Sequence, residues 1–195
     1  DDVPPDDFGA AAKRLQPELP VFVLAFNMRQ LQALPGGPIA IPHIDGSFLW
    51  RGDVRLFLAL IALAEDRLNA EHDARVGGVR MLILIEDSVP FYSSYLPMLF
   101  GELMKQTEIL INQSVNVGQR ILRRRLRPHV MMASTFEDGM ALYERFGDNV
   151  LAVLCDVRFP RFGVEDPEAG LALLGHIRAR DAETPLLLQS SRDRY

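Results

Sequence analysis

Short apolar runs, each bounded by turn-forming or polar residues, most limit what this chain can fold into. They are Pro20 to Phe26, Val79 to Ile85, His129 to Ser134, Val150 to Cys155 and Leu186 to Leu188, with a further strand candidate at Ser47 to Trp50. Runs this short are poor buried helices, and most lack the strict alternation of a half-buried strand. They read as strands of a parallel sheet covered on both faces. Helical spacing fills the intervals. Phe8 to Leu15 is a short helix. From Asp53, apolar residues recur at Val54, Leu56, Phe57, Leu60, Ile61, Leu63, Ala64 and Leu68, an amphipathic helix with Asp53 as its cap. Phe91 to Ile111, a second piece through Val117, Ile121, Leu122 and Leu126, Phe136 to Phe146, and Glu168 to Arg180 continue the pattern. Leu34 to Pro42 and Arg158 to Pro167 read as loops, and Asn69 to Gly78 as a polar, glycine-terminated linker. Strands alternating with helices predict an α/β fold in which right-handed crossovers place helices on both faces of the sheet.

Composition narrows the class. Of 195 residues, 48% are hydrophobic and 24% charged, the balance of a soluble globular protein. The length fits one large domain or two small ones. A net charge of -5 and a pI near 5.4 provide no global attraction for nucleic acid or for an anionic membrane. No apolar stretch reaches the roughly 18 residues that span a bilayer. The acidic, proline-containing start does not read as a signal peptide. The single cysteine, Cys155, cannot form an internal disulfide, so a cytoplasmic setting is expected. Its place on an apolar strand suggests packing rather than nucleophilic chemistry. His43, His72, His129 and His176 lack zinc-ligand spacing. The basic cluster Arg120, Arg123, Arg124, Arg125 and Arg127 suits the end of a helix better than a nucleic-acid patch.

In open α/β sheets, ligands gather at the C-terminal ends of the strands. Three such ends are polar here. Ile85 is followed by Glu86 and Asp87, Cys155 by Asp156, and Leu188 by Gln189, Ser190 and Ser191. Taken singly, each residue could simply cap a helix. Brought together, three carboxylates would repel unless a cation joined them, and Mg²⁺ favours such hard oxygen ligands. A metal-held carboxylate facing a hydroxyl is suited to accept a phosphoryl group.

The stretches Ile83-Leu84-Ile85-Glu86-Asp87, Val153-Leu154-Cys155-Asp156-Val157-Arg158-Phe159-Pro160 and Thr184-Pro185-Leu186-Leu187-Leu188-Gln189-Ser190-Ser191 resemble the receiver domain of two-component response regulators. The resemblance implies a flavodoxin-like, doubly wound parallel sheet over residues 76–195, lacking its final strand and helix. It implies Asp156 as phosphoacceptor, and Glu86, Asp87, Asp156 and the Arg158 backbone carbonyl around Mg²⁺. Ser190 would be the switch hydroxyl. The family's glycine lies eight residues after the phosphoacceptor, whereas Gly170 lies fourteen after Asp156, so residues 161–168 read as an insertion. The lysine expected at the end of a fifth strand has no counterpart before Tyr195.

Residues 1–75 resemble the second half of another, degenerate receiver. Asp1 has Pro5 and Gly9 at the family's spacing, Ala25 stands at the switch position without a hydroxyl, and Arg51 stands where lysine is expected. A flat guanidinium does not replace a lysine freely on a phosphate. A half-domain of this kind is either part of a longer protein or packs with the second copy, and the element order permits one permuted sheet. The runs Ser47 to Asp53, Glu86 to Pro97 and Asp156 to Pro160 also resemble the receiver-like N-terminal region of large bacterial proteins related to phosphoenolpyruvate synthase and pyruvate phosphate dikinase. By these resemblances the chain is a phosphoacceptor domain rather than an enzyme in its own right. Its expected partners are a histidine kinase or phosphotransfer protein, downstream catalytic domains of the same polypeptide, or a second copy in a homodimer. The alternative is a pseudo-receiver that docks or dimerises without phosphorylation. A weaker third reading is a small-ligand domain using the same crevice.

Overall fold

The computed structural model describes residues 3–112 and 127–190. The helical piece expected around Val117 to Leu126, four of the five clustered arginines, Asp1 and Ser191 lie outside the described residues. The chain forms two compact units, Asp1–Ala64 with Ser88–Leu99, and Glu65–Asp87 with Phe100–Tyr195.

The first unit holds α1 (Pro5–Leu15), β1 (Phe22–Ala25), α2 (Met28–Gln32) and β2 (Gly46–Leu49), together with the start of α3 (Arg55–Gly77) and of α4 (Val89–Asn112). Asn27 caps α2, its side chain accepting from the Gln30 amide at 3.1 Å. β1 and β2 pair in parallel, Phe22 opposite Gly46 and Ala25 opposite Leu49. Among the described residues they form a two-stranded sheet of their own rather than edge strands of one permuted sheet. The backbone shows why β2 needs no further strand at Ser47 and Leu49. The Tyr92 hydroxyl donates to the Ser47 carbonyl at 2.7 Å, and the Leu49 amide donates to Ser93 Oγ at 2.9 Å. Side chains of α4 thus satisfy edge groups that would otherwise be buried without partners.

The second unit is built on a four-stranded parallel sheet. β3 (Met81–Ile85), β4 (His129–Ala133), β5 (Val150–Asp156) and β8 (Leu186–Gln189) lie in the order β4-β3-β5-β8. All five residues of β3 are buried, as an unbroken apolar run between two neighbours requires. Met81, Ile83 and Ile85, with Met131, Ala133, Val153 and Cys155, form one packed face. It is covered by α5 (Phe136–Phe146) and α6 (Ala169–Arg180), whose buried Tyr143, Phe146, Leu173 and Ile177 join the same core. Thr135 caps α5 by accepting from the Asp138 amide at 3.1 Å.

Two expectations are corrected. Residues 69–78 are not a linker, because α3 continues to Gly77. Asp66 and Ala70 are buried and Ala74 is half-buried, while Asn69, Glu71, His72 and Arg75 are exposed. The polar stretch is therefore the wet side of a helix whose inner side recurs every four residues. Gly78, at φ +60°, closes it with its amide on the Ala74 carbonyl at 3.2 Å.

Residues 158–167 are not an irregular loop either. They contain the antiparallel hairpin of β6 (Phe159–Arg161) and β7 (Val164–Asp166). Its two turn residues, Phe162 and Gly163, have φ +52° and +75°. Positive φ at both central positions is what a tight two-residue hairpin needs, and the phenylalanine hides that signal from a reading that looks for Asn-Gly or Asp-Gly. Among the described residues, no helix is long and apolar enough to cross a membrane.

Candidate metal and acceptor site

The parallel register brings the acidic strand ends together. Ile85 lies opposite Cys155, and Asp156 lies opposite Gln189. Glu86 and Asp87 therefore emerge beside Asp156 at one edge of the sheet. Carboxylate oxygens of Glu86, Asp87 and Asp156 all lie within 4.8 Å of one another. Glu86 is only 2% exposed. Its amide donates to the Ala133 carbonyl at 3.0 Å, and its Oε2 accepts from Gln189 Nε2 at 3.2 Å. Asp156 Oδ2 accepts from the Arg158 amide at 3.2 Å, which places the backbone of Arg158 at the site.

Like charges this close, partly withdrawn from water, resist ionisation. Burial pushes the Asp87 carboxyl up to about 6, its own amide opposes that, and the charges of Asp156 and Glu165 add to the rise. Among the described residues neither Asp87 nor Asp156 forms an ion pair. The donor set is entirely hard oxygen and gathers three carboxylates, a set that could hold a hard divalent cation such as Mg²⁺. Cys155 stands next to it but is fully buried. Burial first, then Asp156 and Glu86, push its thiol up to about 12, so at neutral pH it carries no thiolate.

Gly170 brings the start of α6 against the end of β5. A Cβ there would run into the carbonyl oxygen of Asp156, and the Gly170 amide donates to the Val157 carbonyl at 3.0 Å. The β6–β7 hairpin leaves the end of β5 and returns, so that the start of α6 still closes on Asp156. Gly170 thus lies against Asp156 although fourteen residues separate them in the sequence.

Ser190 is exposed and follows Gln189 at the end of β8. Ala25 is buried at the end of β1 and Arg51 is exposed after β2, both in the first unit. Gln189 was one of three polar residues expected after β8, and Glu165 was not expected at the site. Gln189 bonds Glu86 across 103 residues of chain, and Glu165 lies in the hairpin, where its carboxylate pairs with Arg158 Nη1 at 3.2 Å.

A second charged cluster was also not foreseen. Asp66, with no exposure, receives both terminal nitrogens of Arg127 and the Val130 amide at 2.8 Å. His129 Nε2 lies 3.8 Å from Asp66 and 3.4 Å from Asp73. The Arg127 guanidinium also covers the Phe100 ring at 5.4 Å.

No family model matches the chain, and no curated protein or solved structure matches it.

Proposed function

We propose that the second unit is a receiver-like phosphoacceptor domain in which Asp156 takes a phosphoryl group with Mg²⁺ present. The observation that carries this reading is the convergence of Glu86, Asp87 and Asp156 within 4.8 Å at the C-terminal edge of a parallel sheet. The strand order supports it. β4-β3-β5-β8 is the 2-1-3-4 portion of the flavodoxin-like order, and the acids follow its first and third strands. The close approach of Gly170 to Asp156 adds to the likeness with receivers.

Glu86, Asp87, Asp156 and the Arg158 carbonyl would hold the ion, which supplies charge screening for the transferring group. Asp156 is the nucleophile. One of its carboxylate oxygens forms a bond to phosphorus as the phosphorus–nitrogen bond of a phosphohistidine breaks, and the departing imidazole keeps its proton. Gln189 holds Glu86 in place through its amide. Ser190, at the end of β8, would engage the phosphoryl oxygens and shift the edge of the sheet toward a partner. The donor would be a histidine kinase or phosphotransfer protein.

Incubation with Mg²⁺ and phosphoramidate, followed by intact mass, tests this. A phosphate adduct on the wild type that is absent in Asp156→Asn is the expected result. No adduct would favour the second reading, a docking module of a larger phosphoenolpyruvate synthase-like protein. The hairpin tip favours that alternative, since Phe162 is 79% exposed and Val164 69%, an apolar surface that needs no phosphoryl group to be read.

A further inference from the structure

An acceptor aspartate gathers negative charge as it is modified, and the acids around it supply none of the compensating cation. Arg158 is placed to do so. Its amide already holds Asp156 Oδ2, so the residue begins at the acceptor. Its guanidinium is tied to Glu165 on the β6–β7 hairpin at 3.2 Å. The two side chains are 41% and 62% exposed. Glu165 lies opposite Pro160 in the hairpin register, so the pair bridges the segment that leaves Asp156 and the strand that returns toward α6.

The relative strengths decide which partner Arg158 prefers. An exposed ion pair shifts an equilibrium by about fivefold at most. Charge-assisted bonds from a guanidinium to a phosphoryl dianion are worth about tenfold or more, and the planar fork matches two phosphate oxygens at once. Arg158 would therefore leave Glu165 once a dianion is present, and would stay with it otherwise. The other cation of the hairpin is not equivalent. Arg161 pairs with Asp166 at 3.6 Å and lies over the Phe136 ring at 4.4 Å, which anchors the hairpin to α5. The Glu137 carboxylate, accepting from the Phe162 amide at 3.0 Å, adds to that anchor. The hairpin thus has one anchored cation, Arg161, and one exposed ion pair whose arginine lies two residues after Asp156.

We propose that Arg158 is the anion-binding cation of this site and that Glu165 holds it in reserve until a phosphoryl group sits at Asp156. The proposal rests on the reading of Asp156 as acceptor, and its test separates the two. Inorganic phosphate is titrated in the presence of Mg²⁺ into the wild type, Glu165→Gln, Arg158→Ala and Arg158→Lys, followed by the amide resonances of residues 156–158 in NMR. The same four proteins are treated with phosphoramidate and Mg²⁺, and adduct formation is timed by intact mass. All variants keep the Arg158 carbonyl and amide, and both side chains are at the surface, so the fold is expected to persist.

Glu165→Gln should tighten phosphate by up to about fivefold. Arg158→Ala should weaken phosphate by about tenfold or more, and Arg158→Lys should restore only part of the loss. Adduct formation should follow the same order. Equal phosphate affinity and equal adduct rates in all four proteins would overturn the role of Arg158 while leaving the acceptor reading intact. Phosphate affinities in the expected order with no adduct on the wild type would keep Arg158 as the anion-binding cation, held by Glu165 against free phosphate, and remove the acceptor reading. Absence of both phosphate binding and adduct in the wild type would overturn both.

Discussion

The second unit holds two groups of carboxylates at opposite ends of the same sheet, and they are built on different principles. At the start of β4, Asp66 is buried deeper than any member of the other group, yet its charge is matched by Arg127 and its oxygens by the Val130 amide and nearby His129. At the C-terminal ends of β3 and β5, Glu86, Asp87 and Asp156 crowd within 4.8 Å of one another, and Asp87 is driven up to about 6. Buried charge with a matched partner is structure, whereas gathered carboxylates with a raised pKa mark a candidate ligand site. The contrast matters because both clusters look alike in the sequence, as acids near apolar runs.

The largest expected effect breaks the matched cluster. Asp66→Ala leaves Arg127 and the Val130 amide without their acceptor, and urea unfolding should show a loss of about 3–5 kcal/mol. A loss under about 1 kcal/mol would mean that the pair acts no differently from one at the surface. Next comes Gly170→Ala. Its methyl group meets the Asp156 carbonyl, so the start of α6 must move away, for about 1–3 kcal/mol of stability. Amide shifts at residues 156–158 should accompany the loss, and unchanged resonances would show that α6 does not close on Asp156.

The surplus cluster should behave in the opposite way. Because the Asp87 pKa is raised from 3.8 to about 6, the folded protein binds an extra proton between those pH values. Its contribution is favourable at low pH and is lost as pH rises through about 6. The full shift corresponds to about 3 kcal/mol at 1.36 per unit, which solvent at this half-buried group reduces to about 1–2 kcal/mol. Asp87→Asn should therefore stabilise the metal-free protein by that amount at pH 7.5 and by almost nothing at pH 4. Thermal unfolding at the two pH values checks it, and a destabilised Asp87→Asn at pH 7.5 would contradict a strained cluster. The smallest effect concerns Cys155. With its thiol near 12 and no exposure, it should resist iodoacetamide at pH 8 until denaturant is added, and rapid alkylation of the native protein would place it outside the core.

Much of this arrangement could be read directly from sequence, and the reasons are specific. The runs ending at Ile85 and Cys155 declared buried parallel strands, and once those strands are neighbours the acids after them must meet. Phe136 to Phe146 was legible from its spacing and its Thr135 cap. Residues 69–78 were not, because a helix with one wet side and a glycine end has the composition of a linker; only the burial of Asp66 and Ala70 reveals the inner side. The burial of Asp66 in turn depends on Arg127, 61 residues away, a separation that no local pattern carries. The hairpin at 159–166 was hidden by Phe162 at a position of positive φ. Gln189 was one of three polar residues after a strand, and only the register of β5 with β8 points it toward Glu86.

The central claim is that the surplus charge at Glu86, Asp87 and Asp156 is a cation site serving an acceptor. Calorimetric titration with Mg²⁺ tests it most directly, on the wild type at pH 7.5 and pH 5 and on Asp87→Asn at pH 7.5. The account predicts saturable binding of one ion per chain at pH 7.5, weaker binding at pH 5 where the proton competes for Asp87, and loss of binding in Asp87→Asn. No binding at pH 7.5, or binding indifferent to both pH and the substitution, would contradict it.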